Sequence, residues 1–287
     1  MHQTTICWYN TSGSRSGAAC MNYFITKFSS LNTIVTHFFS ALKLQEREHP
    51  KGRKPILSNS EAVTCAVFKQ RQNIATIQSL YDILEPPLSY QKFVDAVNRV
   101  EKYLATMIGV LMRILGKEAH AIKFTDSTEL PVCLPKNARY HRTMRGFAQW
   151  SKSSKGWFYG LKLHLSSDVA GRVIALRLTP GNADDRTIFR KMNDRLRGLF
   201  VADAGYVSRE LAEDFYIEHE RLLITAVRAN MKKLATFWEI ALLNLRMRVE
   251  INFRMLKVCY GLVTSFPRSV DGYLTHYLAA ILAHLLA

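Results

Sequence analysis

AIKFTDSTEL, residues 121–130, is the stretch on which the fold turns: an apolar run that reads as a strand and places Asp126 at its polar end. Further along, WFYGLKLHLSS (157–167) alternates apolar and polar residues, and VIALRLT (173–179) follows it through DVAG as a hairpin-like turn. Pro180 and Gly181 break that strand. A helix is predicted from Asn182 or Ala183, with Asp184 and Asp185 complementing its positive end. GLFVA (198–202) is a strand of buried character that leads into Asp203. Ser208 caps the next helix, which carries Glu210, Glu213 and Asp214 early, and RLLITAV (221–227) is the last strand. The order is strand, strand, strand, helix, strand, helix, strand, helix. It predicts an α/β class with a mixed sheet and helices on its faces, and it brings Asp126 and Asp203 to neighbouring strand ends.

A third carboxylate lies about 22 residues past the last strand, too close for a large inserted subdomain. Glu250 sits in the helical pattern LLNLRMRVEINFRMLK (242–257), flanked by Val249, Ile251 and Phe253. Mg²⁺ asks for hard oxygen ligands, with one or two carboxylates per ion and water or phosphate completing the shell. Two ions about 4 Å apart can clamp the attacking and leaving oxygens of an in-line displacement. Three carboxylates serve two ions if one bridges, and a strand-borne Asp126 has the rigidity to do so. Taken one at a time, each of these acids reads equally as a surface carboxylate. Arg246, Glu250 and Lys257, four and seven residues apart, fall in one stripe of a helix. By periodicity alone this is also the pattern of ordinary surface pairing.

The spacing of that stripe carries more. Arg246, Glu250 and Lys257 reproduce most of the Y-x2-R-x3-E-x6-K signature of DDE transposases of bacterial insertion sequences, with Leu243 where the signature has tyrosine. FTDSTEL, FVADAGYVS, KSSKGWFYGLKLHL and LTPGNADDR resemble those of the insertion sequence 982 family, related to the insertion sequence 4 group, and the similarity spans roughly residues 50 to 287. The resemblance implies an RNase-H-like catalytic domain with Asp126, Asp203 and Glu250 as ligands of two Mg²⁺ ions, Mn²⁺ being the expected substitute. It implies hydrolysis of a phosphodiester at the element's terminal inverted repeats and strand transfer into target DNA by a homo-oligomer, in a bacterial cytoplasm. Two other readings stay open: an RNase-H-like nuclease that cuts without strand transfer, and a transposase-derived DNA-binding protein whose catalysis has lapsed.

Composition agrees with a nucleic-acid partner. The chain has 39 Lys and Arg against 23 Asp and Glu, a net charge of +16, which attracts polyphosphate through counterion release and equally an anionic membrane surface. The location of the charge separates the two. KNARYHRTMRGFAQWSKSSKGWFYG (136–160) carries Lys136, Arg139, Arg142, Arg145, Lys152 and Lys155 with no acidic residue, and Tyr140, Phe147, Trp150 and Trp157 lie among them. Basic residues interleaved with aromatics suit backbone neutralisation plus base stacking; a solvated loop with buried aromatics is the plainer alternative. Arg139, Arg142, Arg145, Lys152, Lys155, Arg246 and Lys257 are the candidate DNA contacts.

The remaining sequence sets boundaries. Residues 1–28 lack the apolar core of a signal peptide and read as a poorly ordered leader. Residues 29–118 read as a helical domain and 119–287 as the catalytic domain with its C-terminal helix. Ser58 with Glu61 forms a capping box, Ile74 to Leu84 has helical spacing, and a long helix opens at Ser89 and runs through Val94, Val97, Val100, Leu104 and Ile108. Three such helices fit a helix-turn-helix-like module gripping DNA ends or a scaffold. Five cysteines without CxxC spacing indicate neither disulfides nor zinc, and His141 and His164 are not spaced as metal ligands. YLTHYLAAILAHLLA (273–287) is shorter than the ~20 residues a membrane span needs and reads as a core or oligomer helix.

Overall fold

The computed structural model describes residues 15–44, 55–226, 235–263 and 267–287. The chain divides into two compact units, a helical one that ends at Ile108 and resumes over Val258–Ala287, and a mixed one over Gly109–Lys257. The C-terminal helix, expected with the catalytic domain, therefore belongs with the N-terminal helices.

The helical unit holds α1 (Arg15–Ala41), α2 (Asn59–Arg71), α3 (Ile77–Leu84), α4 (Tyr90–Val97), the first half of α5 (Glu101–Lys117) and α10 (Val270–Leu285). Of the expected leader, residues 1–14 lie outside the described residues; from Arg15 the chain is helical. The α2 helix is the centre. Ten of its residues are buried, α1 and α10 pack on it, and its predicted capping box forms, with Ser58 N–H donating to Glu61 Oε2 at 2.8 Å. Among the described residues five helices precede the sheet, where three are expected from the sequence. The long helix from Ser89 breaks at Asn98, because Thr275 Oγ1 of α10 donates to the Asn98 carbonyl at 3.2 Å and satisfies it outside a helix. No helix among the described residues is long and apolar enough to cross a membrane.

Among its described residues the mixed unit has six strands: β1 (Ile122–Pro131), β2 (Gln149–Ser153), β3 (Gly156–Asp168), β4 (Val173–Pro180), β5 (Leu199–Ala202) and β6 (Leu222–Thr225). The sheet order is β2-β3-β1-β5-β6, and β4 lies beyond β2 on the same edge of β3. The β1–β3, β2–β3 and β3–β4 pairs are antiparallel; β1–β5 and β5–β6 are parallel. The expected α/β class with a mixed sheet is thus observed. Helices α6 (Asp185–Met192) and α7 (Arg209–His219) cover one part of it. Phe189, Phe200 and Phe215 meet there with ring centroids 5.0–5.8 Å apart, inside a core that includes Ile174, Leu196, Tyr206 and Leu211. Burial of this aromatic area is the main force joining helices to sheet. The sequence reading extended the last strand to Val227, which lies outside the described residues.

Past β6 the expected continuous helix over 242–257 is broken into α8 (Phe237–Asn244) and α9 (Met247–Arg254), followed by a π turn at Met255–Cys259. The break has a local cause: Arg246 and Arg248 bond back to Leu243 and Leu245, three residues each, instead of four. Helix α9 packs against β1 and β3, so Val249 and Phe253 face inward and Glu250 stays at the margin.

Candidate active site

Two of the three acids are brought together by strand register. β1 and β5 run parallel with Thr125 opposite Ala202, so Asp126 and Asp203, the next residues, stand at the same level. Asp203 follows the end of β5, but Asp126, expected at a strand end, sits in the middle of β1, because pairing with β3 carries that strand on to Pro131. Gly198 makes the pairing possible. Its φ is +97°, and a Cβ there would stand 2.4 Å from the Ala121 carbonyl oxygen, the acceptor for Leu199 N–H at 2.9 Å; any side chain would push the two strands apart.

Glu250 joins them through a cation. The Arg246 guanidinium lies 3.7 Å from Asp126 Oδ2, 3.4 Å from Asp203 Oδ1 and 3.2 Å from Glu250 Oε1. Three carboxylates from β1, the end of β5 and α9 thus surround one positive charge. Their environments differ: the side chain of Asp126 is 21% exposed, against about half for Asp203 and Glu250. Burial pushes the Asp126 carboxyl up to about 6, and the charges of Asp203 and Glu250 add to it. The Ser127 N–H, which donates to Asp126 Oδ1 at 2.8 Å, and Arg246 pull the other way. A carboxyl raised chiefly by burial, with two further carboxylates beside it, is the kind of perturbed group that clusters at functional sites. Among the described residues, no group of three His, Cys, Asp or Glu stands ready-made as a metal cage; in this conformation the shared cation is Arg246.

Lys257, expected in one stripe with Arg246 and Glu250, leaves the helix in the π turn. Its Nζ donates to Thr128 Oγ1 at 2.6 Å, two residues along β1 from Asp126, and burial lowers its pKa. Arg246 and Lys257 are therefore engaged inside the unit and partly withdrawn from solvent, whereas the other candidate DNA contacts are exposed.

One acid beside the site escaped the sequence reading. The sequence pattern makes both Asp184 and Asp185 helix-end charges, but only Asp184 caps α6, its Oδ2 accepting from Thr187 N–H at 2.9 Å. Asp185 turns inward to Lys162 Nζ at 3.1 Å, to His164 Nδ1 at 3.6 Å and to Ser127 Oγ at 3.5 Å, which ties it to the residue after Asp126. Tyr206 is buried nearby, and burial with the charges of Asp185, Asp126 and Asp203 raises its pKa. His164 is a buried hydrogen-bonding residue, Nε2 lying 2.9 Å from Thr179 Oγ1, and burial lowers it to about 4. The available signal was the doubled acid in NADDR: one carboxylate is enough to cap, which frees the second for another task.

The basic segment forms a 3-10 turn at Pro135–Tyr140 and then β2, which pairs with the start of β3. Lys136, Arg139, Arg142, Arg145, Lys152 and Lys155 are all exposed. So are the aromatics: Tyr140 77%, Trp157 62%, Phe147 49% and Trp150 45%. The alternative of a loop with buried aromatics is excluded. Lys155 reaches Glu129 of β1 at 3.1 Å, anchoring the segment to the strand that carries Asp126.

Residues 116–269 match the model of the family described as the transposase DDE domain. That is more than half of the chain, and the chain belongs to this family. Among solved structures it is similar to the Mos1 strand transfer complex, at 12% identity over 87% of this chain and 82% of that one with a TM-score of 0.25. It is also similar to the Mos1 mariner paired end complex with Mn, at 13% identity over 86% and 83% with a TM-score of 0.24. These likenesses are too loose to carry the fold. No curated protein matches the chain.

Proposed function

We propose that this protein is a DNA transposase whose mixed unit is an RNase-H-like catalytic domain. It hydrolyses a phosphodiester at the ends of its element and joins the freed 3′-hydroxyl to target DNA. The observation that carries this reading is the convergence of Asp126, Asp203 and Glu250 on a single cation, in a chain of the transposase DDE domain family. An antiparallel β4-β3-β1 half continued by parallel β5 and β6 is the sheet expected of such a domain.

The donor set is all hard oxygen, as Mg²⁺ or Mn²⁺ requires, and these three side chains would hold two such ions. The ions would supply charge neutralisation for the attacking and leaving oxygens. The chain's own part is positional. Asp185, Lys162 and Ser127 fix β1 from beneath, and Lys257 braces Thr128. The exposed bases of 136–155 neutralise DNA phosphates, while Tyr140, Phe147, Trp150 and Trp157 offer faces for unstacked bases. The helical unit is assigned to DNA-end binding, and a second copy of the chain on the DNA belongs to the same reading.

The test combines purified protein, DNA bearing the element's own terminal repeats, Mg²⁺ and an Asp203→Ala control. Cleavage that survives loss of Asp203, or that needs no divalent metal, would falsify the three-carboxylate mechanism. Strand-joined products separate a transposase from a simple nuclease. The guanidinium lodged among the carboxylates supports one other reading, a DNA-binding protein without catalysis, and calorimetry showing no Mg²⁺ or Mn²⁺ uptake would favour it.

A further inference from the structure

We propose that Arg246 is an internal counter-cation that holds the acidic cluster closed to divalent metal, so that metal loading and expulsion of the guanidinium are one exchange. This rests on the reading of Asp126, Asp203 and Glu250 as metal ligands. All three carboxylates have an oxygen within 3.2–3.7 Å of the same guanidinium. The oxygens a divalent ion would need are thus already directed at a positive group, and two cations cannot share them at contact distance without strong repulsion. Nearby positive groups do not substitute for it: Lys162 is paired with Asp185 and Lys257 is bonded to Thr128.

The placement of Arg246 suits a group that must move. It stands at the junction of α8 and α9, where its backbone N–H is bonded to Leu243 in a tight turn and not within either helix. Its side chain is 23% exposed, and its partners Asp203 and Glu250 are half exposed, which leaves a route outward past them. Rotation about the side-chain bonds carries the guanidinium to the rim without unfolding a helical turn. There, a planar fork of donors meets phosphate well. The residue that blocks metal in the free protein is then available to DNA once metal has entered.

Full-length protein without DNA is titrated with Mn²⁺, free ion being followed by electron paramagnetic resonance, in the wild type, Arg246→Ala, Arg246→Lys and Asp203→Asn. The wild type is expected to bind Mn²⁺ with dependence on Asp203. Arg246→Ala should bind about tenfold tighter or more, and Arg246→Lys, which keeps the charge, within about threefold of the wild type. Should Arg246→Ala bind no tighter than the wild type, the exchange is wrong. Should the wild type and Asp203→Asn bind alike, or neither bind, the metal-ligand assignment itself fails. If Arg246→Ala does not fold, phenylglyoxal modification of the wild type, mapped by mass spectrometry, decides instead. Mn²⁺ should raise labelling at Arg246, and unchanged labelling overturns the proposal.

Discussion

Truncating the exposed aromatics of the basic segment should weaken DNA binding while leaving the fold nearly intact. Tyr140 is 77% exposed. Of roughly 200 Å² of tyrosine surface about 45 Å² is therefore withdrawn from water, which at about 25 cal/mol per Å² makes Tyr140→Ala cost about 1 kcal/mol of stability. Trp157 is 62% exposed, and the same arithmetic on roughly 250 Å² makes Trp157→Ala cost about 2 kcal/mol. Stacking on an unpaired base contributes about 1–3 kcal/mol per base, a loss of roughly 5- to 150-fold in affinity. The assay is fluorescence anisotropy with a labelled duplex carrying a single-stranded overhang, compared with the blunt duplex, across a salt series. Each aromatic variant should lose affinity for the overhang, little for the blunt duplex, and keep the wild-type salt slope. Arg142→Ala and Lys152→Ala should weaken both substrates alike and lower the slope by about 1. Lys155→Ala should do less, because that lysine is paired with Glu129. If Tyr140→Ala and Trp157→Ala remain folded and bind the overhang as the wild type does, these rings are not a stacking surface.

Three further outcomes follow from buried charge. In chelator, Asp126→Asn should stabilise the protein at pH 7. The folded carboxyl is raised to about 6, so stability is present below the ordinary carboxylate range and lost as pH rises through 6; the variant gains about 2–3 kcal/mol at pH 7 and nothing near pH 4, measured by urea unfolding. His276 works in the opposite sense. Buried, with Nε2 donating to the Gly261 carbonyl at 3.0 Å and Nδ1 accepting from Gln70 at 2.7 Å, it is lowered to about 4 by burial and by Lys69. Its contribution is complete above the ordinary histidine range and falls with acidification, by about 2 kcal/mol between pH 7 and pH 5; a His276→Asn variant with an unchanged pH slope would sink the assignment. Arg221 is fully buried, donating to the Asn193 carbonyl at 3.0 Å, pairing with Glu218 and stacking 3.7 Å over the Phe215 ring. Arg221→Ala should cost about 3–5 kcal/mol in the same unfolding assay and Arg221→Met clearly less, since the methionine refills the space above the ring.

Local pattern was enough for much of the catalytic unit. Alternation of apolar residues marked β3 and β4, the Pro180–Gly181 break located the start of α6 within a few residues, and Ser58 and Ser208 capped as read. These are short-range effects, decided by a residue and its neighbours within one turn or one strand. The same logic failed where a distant group intervened. Val94 to Ile108 keeps helical spacing throughout, yet Thr275, far along the chain, takes the Asn98 carbonyl and the helix breaks. The stripe of Arg246, Glu250 and Lys257 was legible as a spacing, but the packing of α9 on β1 and β3 decided what each residue touches.

By itself, then, the sequence determined that Asp126 lies on one strand of a mixed sheet and that Asp203 follows the end of another, because side-chain alternation and turn residues act locally. Only the tertiary structure decided that a glutamate from α9 and a guanidinium at a helix junction would join them. It alone turned Asp185 inward beneath the same strand and set the C-terminal helix on α2. Such contacts join residues tens to hundreds of positions apart, and they form only when burial of the intervening apolar surface has drawn those segments together.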